Sequence, residues 1–104
     1  MRASKRAKLA NRGWKLGDAK EFLNLSPEEA ALIELRLKLA EGLKARRVRK
    51  RLTQHDLAMA VQSSQSRVAK MESGDPTVSI DLLMRSLIAL GASRRDLARI
   101  IAPA

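Results

Sequence analysis

Residues able to do covalent or metal chemistry are scarce in this sequence. Its 104 residues include no cysteine and one histidine. That excludes disulfides, thiolate nucleophiles, thiolate zinc sites and clusters of histidine ligands. His55 falls in what reads as the exposed first turn of a short helix, so it reads as a surface residue rather than a ligand or base. Glu28 and Glu29 form a carboxylate pair of the kind used in acid–base work. They follow Ser26-Pro27, however, and carboxylates in a first helical turn answer to the positive end of the helix. No nucleophile–base or metal constellation remains, so neither an enzyme nor a bound cofactor is expected.

Hydrogen-bonding chemistry is better represented. In the segment QSRVAKME, residues 65–72, Gln65, Ser66, Ala69 and Lys70 share one face of a helix. Arg67 lies at its flank, and Val68 and Met71 mark the opposite, apolar face. The polar face carries no acid. Glutamine can pair bidentately with adenine, arginine and lysine can pair with guanine, and a small alanine permits close approach to a thymine methyl group. Ser64, just before this helix, can cap it, and the free N–H groups at the helix start can hold a phosphate.

The elements that must position this face are legible from caps and periodicity. Residues 1–13 (MRASKRAKLANRG) are basic and aperiodic, and read as a flexible tail, either lying along phosphates or simply solvated. Residues 14–25 read as an N-terminal extension with one short helix, opened by Asp18 and Glu21 at capping-box spacing. Within it, Trp14 is suited to packing on this domain or to docking a partner. Residues 26–104 read as the main domain.

Ser26, Pro27 and Glu29 start a long helix that the periodicity carries to about residue 49. On it, Leu32, Leu35, Leu39 and Leu43 form one stripe, and Ile33, Leu37 and Ala40 a second. One stripe can face the core; the other needs cover from the extension or from a second subunit. The run Lys44–Arg51 is densely basic, suited to a solvated helix end or, in part, to phosphate contact. Thr53 and Asp56 box the start of a helix over 54–61, whose inner face is Leu57, Ala58 and Val61. Gln62-Ser63-Ser64 forms the turn into 65–72, and Gly74 is placed to end that helix. After a loop at 75–78, Ser79 caps a helix over 80–90 closed by Gly91. Ser93 and Asp96 box a final helix to about Ile101. Its Leu97, Ile100 and Ile101 serve equally as core or as a dimer surface.

Composition agrees with an all-α reading. There are one Trp, one Phe and no Tyr, so the core must be aliphatic. The net charge of +10 points to polyanion partners. Stacking aromatics, common in RNA and single-strand readers, are missing. No apolar run approaches the roughly 18 residues of a membrane span, so no membrane partner is expected and the chain reads as cytoplasmic.

Two short helices joined by a three- or four-residue turn make a helix-turn-helix arrangement. Residues 52–74, LTQHDLAMAVQSSQSRVAKMESG, resemble the motif of XRE-type regulators, relatives of lambdoid phage repressors and Cro. The resemblance spans about 37–102, through Leu83, Met84, Ala89, Leu90 and Gly91. It implies a lambda-repressor-like five-helix DNA-binding domain, here with a short N-terminal helical extension. By position it implies that Gln54 contacts phosphate and braces Gln65, that Gln65, Ser66 and Lys70 meet base edges, and that Arg67 meets a base or phosphate. It also implies an ion pair between Arg47 and Glu72. The chain departs from the family twice. Gln62 stands where relatives usually have Gly, which is costly if that residue takes a positive φ. Asp75 stands in a loop that is often basic, so phosphate contacts from that loop are not expected.

Residues 14–51 resemble the leader of XRE proteins paired with RelE-superfamily toxins, the HigA-type antitoxins, through Gly17-Asp18-Ala19, Phe22-Leu23 and Ile33-Glu34. This implies a RelE/HigB-like toxin as a partner, with Phe22, Leu23 and Leu25 as its contacts. The expectation is therefore a homodimeric repressor of a palindromic operator in double-stranded DNA that also serves as an antitoxin. The rivals are an autonomous XRE-family regulator, a toxin-neutralising interaction module and a charge-driven RNA binder.

Overall fold

A computed structural model describes residues 24–103. The tail, Trp14, the helix expected after Asp18, and Phe22 and Leu23 lie outside the described residues. The chain divides into two compact units between Glu34 and Leu35.

Five helices and no strands make up the described residues: α1 Pro27–Arg49, α2 Gln54–Ala60, α3 Gln65–Ser73, α4 Ile80–Ala89 and α5 Arg94–Ile101. None is long and apolar enough to cross a membrane. In the described part of the first unit, Ser26 and Glu29 exchange the two bonds of a capping box, at 3.1 and 2.9 Å. The four later helices are fixed at their starts by Thr53, Ser64, Ser79 and Ser93, whose hydroxyls each accept a first-turn N–H. Thr53 with Asp56 and Ser93 with Asp96 complete full boxes. Each such cap is worth about 1 kcal/mol.

Four helices, α1 to α4, end by one repeated device. An amide two or three residues past the helix bonds back across five residues, at Leu52 to Arg47, Ser63 to Ala58, Asp75 to Lys70 and Ala92 to Leu87, at 2.8–3.1 Å. This Schellman geometry needs a left-handed residue at the corner. Gly74 (φ 76) and Gly91 (φ 91) supply it twice. Arg51 (φ 59) and Gln62 (φ 56) supply it at the other two corners. A side chain in that conformation costs about 1–2 kcal/mol. The departure at Gln62 is thus a real strain in the turn between α2 and α3.

The core of the second unit is wholly aliphatic: Leu39, Leu43, Leu57, Val68, Met71, Val78, Leu83 and Leu87 are its fully buried large side chains. It reaches back along α1 only to Leu39. The expected division into two stripes is therefore redrawn. Leu39, Ala40 and Leu43 are buried together, Leu35 is half-buried, and Leu32 and Leu37 are exposed. Spacings of one, three and four residues all fall within one helical face, so Ala40 belongs with the leucines. Val78, assigned to a loop, is fully buried, and its carbonyl accepts a 3.1 Å bond from Arg36 Nε. Ser86 is also fully buried, its hydroxyl 3.5 Å from Met71 Sδ.

Candidate nucleic-acid interface

The face expected to do the recognition is built on α3, which packs against α2. Val68 and Met71 turn inward and are fully buried. Gln65, Ser66, Arg67, Ala69 and Lys70 are all exposed, with no acid among them. The period of the helix makes this separation, since residues three apart return to the same side. At the start of α3, Ser64 Oγ accepts the Arg67 N–H at 3.1 Å and lies 3.2 Å from Ser66 Oγ. At its end, Gly74 is doubly constrained. It takes the left-handed corner, and a Cβ there would stand 2.7 Å from Leu37 Cδ2.

The angle of α3 to α1 is set by a polar tie. Arg47 on α1 donates through Nε to Glu72 Oε2 at 2.5 Å and through NH2 to Glu72 Oε1 at 3.1 Å. Its NH1 donates to the Leu52 carbonyl at 2.7 Å. The side chains are 12% and 3% exposed, so this is a nearly buried, fork-on-fork pair. The carboxylate of Glu72 raises the pKa of Arg47, chiefly by hydrogen bonding.

Among the described residues the side-chain partner of Gln54 is Glu72 rather than Gln65. Gln54 is half-buried, and its side-chain amide donates to Glu72 Oε1 at 3.2 Å. A desolvated carboxylate with free lone pairs is a stronger acceptor than an exposed neutral amide. Glu72 thus gathers α1, α2 and α3 on one carboxylate. Only the Arg47–Glu72 part of that cluster had a sequence signal, through the resemblance.

Past α3, Asp75 Oδ1 accepts from the Thr77 amide at 2.8 Å and hydroxyl at 2.6 Å. These bonds hold its carboxyl below the usual range and keep it ionised. Among the expected toxin contacts, only Leu25 is described, and it is half-buried.

Residues 38–100, well over half of the chain, match the family model described as a helix-turn-helix domain. The chain belongs to the helix-turn-helix domain family. Comparison with curated proteins and with solved structures returned no match. The matched span holds α2, the turn at Gln62–Ser64 and α3, the helix-turn-helix proper, with the C-terminal half of α1, all of α4 and most of α5 as its support. With five helices in this order, the domain is of the lambda-repressor-like type. It is an XRE-like DNA-binding domain of the transcription-regulator kind.

Proposed function

We propose that this chain is a sequence-specific transcriptional repressor that reads double-stranded DNA with α3 and acts by occluding a promoter. The observation that carries the reading is the exposed, acid-free face of Gln65, Ser66, Ala69 and Lys70 on a helix whose angle is fixed by Glu72. In this reading Gln65, Ser66 and Lys70 meet base edges, Arg67 meets a base or a phosphate, and Ser64 and Gln54 hold backbone phosphate. A homodimer would place two copies of α3 about one DNA turn apart on a palindromic operator.

The test is a titration of the chain's own promoter and a scrambled duplex of equal length at two salt concentrations. Phosphate contacts make both affinities fall with salt, and base contacts keep the promoter ahead. Equal affinities at both concentrations would leave only a nonspecific polyanion binder. Sedimentation at high micromolar concentration, free and on DNA, tests the dimer; a monomer in both would sink it.

A second step, the antitoxin role, is favoured by the likeness of residues 14–51 to HigA-type leaders and by the exposed apolar side chain of Leu37. Phe22, Leu23 and Leu25 would contact a RelE/HigB-like toxin. Co-expression with the product of the neighbouring gene tests it. If nothing co-purifies with the full chain, the autonomous regulator stands.

A further inference from the structure

Away from α3, the second unit has a cleft between α1 and α5 of about 310 Å³. Gly42, Ala45 and Ile100 line its apolar part, and Arg46, Arg49 and Arg99 bring three guanidinium groups to it. The close approach of α5 depends on Gly42. A Cβ there would come within 3.0 Å of Ile100 Cδ1 and Cγ2. Glycine inside a helix costs up to about 1 kcal/mol relative to alanine, so its presence at this contact has a structural reason.

The charges in the cleft do not balance. Among the described residues Asp96 is the one carboxylate lining it, and its oxygens are already engaged by the Ser93 amide at 2.9 Å, by Arg46 at 3.2 Å and by Arg99. Three cations thus face one anion. The negative ends of α1 and α5 offset roughly half a charge each, which still leaves a positive surplus. Arg46 is held in place at the cleft: its side chain is only 16% exposed, and its terminal nitrogen lies 3.2 Å from Asp96.

We propose that this cleft binds a phosphomonoester, its phosphate held by Arg46, Arg49 and Arg99 and its organic part resting on Ala45 and Ile100. Such a phosphate carries a charge of about −1.5 to −2 at neutral pH and three acceptor oxygens, which suits three guanidinium forks and a surplus of positive charge. A carboxylate or a DNA phosphodiester carries only one negative charge. Arg46 and Arg47 are consecutive and project about 100° apart on α1. Because Arg47 points to Glu72 on α3, the cleft opens on a different flank, and a ligand there leaves α3 free for DNA.

The test uses the full chain, ¹⁵N-labelled, titrated with phenyl phosphate at constant ionic strength, with benzoate as the monoanionic control. Saturable shifts are expected at the amides of Gly42, Ala45, Arg46 and Ile100, with benzoate weaker by about tenfold or more, the worth of losing one charge-assisted bond. Arg49→Ala and Arg99→Ala should each weaken phenyl phosphate by a similar factor while keeping the wild-type amide spectrum elsewhere. Shifts that grow linearly, shifts centred on residues 64–70, or equal binding by the Arg49→Ala, Arg99→Ala double variant would each overturn the proposal.

Discussion

Removing Glu72 should destabilise this domain sharply although it deletes no part of the aliphatic core. In Glu72→Ala, Arg47 loses both bonds of its fork and retains only the Leu52 carbonyl. Gln54 loses its acceptor in the same stroke. Arg47 is 12% exposed, so water replaces little of what is lost. Stranding one partner of a buried pair costs on the order of 3–5 kcal/mol. Whole domains are stable by only about 5–15 kcal/mol. For a domain of this size, each kcal/mol lowers the melting temperature by roughly 4–8 °C, so a fall of at least about 12 °C is expected. Circular dichroism melts of wild type, Glu72→Ala, Arg47→Met and the double variant Arg47→Met, Glu72→Leu provide the assay. The double variant should recover much of the loss, because it leaves no stranded charge. A Glu72→Ala protein that melts within about 2 °C of wild type would refute the reasoning, for it would mean that the fork contributes no net stability.

Gln62→Gly relieves a left-handed side chain at the turn corner and should stabilise the domain by about 1 kcal/mol, seen as a higher urea midpoint at unchanged slope. Gln65→Ala and Lys70→Ala should each cost roughly 1–3 kcal/mol on the preferred DNA site and relax its sequence preference, as measured by selection on random duplexes; unchanged preference in both would move the reading surface elsewhere. Asp56, Asp75 and Asp96 are held below the ordinary carboxylate range by backbone and hydroxyl donors of Thr53, Thr77 and Ser93. A lowered folded pKa gives stability that is present above the unfolded value of about 4 and is lost as pH falls through the folded values. Acid melts should therefore show a loss of stability below about pH 4 that is smaller in the triple Asp→Asn variant.

Capping explains why so much of this fold was legible. Thr53 with Asp56, Ser64, Ser79 and Ser93 with Asp96 are local devices, completed within four residues, and each opens the helix expected of it. Gly74 and Gly91 mark their corners for the same reason. Arg51 escaped notice because nothing in an arginine announces a left-handed backbone; only the recurrence of the five-residue bond reveals the corner there. Val78 follows Asp75-Pro76-Thr77 and shares no period with a helix, so its burial depends on where the loop is carried and on the Arg36 bond. The partner of Gln54 and the meeting of Arg46 with Asp96 join residues far apart in the chain. Such pairings follow from tertiary placement, which spacing alone does not encode. The outward face of α3 was legible because a single helix period separates it from Val68 and Met71.

The aliphatic core also determines what light can report about this protein. No aromatic residue occurs anywhere in the second unit, because Trp14 and Phe22, the only two in the chain, both belong to the first. Indole fluorescence therefore reports on the surroundings of Trp14 alone. Far-ultraviolet dichroism, dominated by the helices, answers mainly to the domain. The two signals form a natural pair of independent probes. Coincident transitions would mean that both units unfold as one cooperative body, and separated transitions would mean that each keeps its own stability. A tryptophan placed within the second unit would give that unit a fluorescence signal of its own.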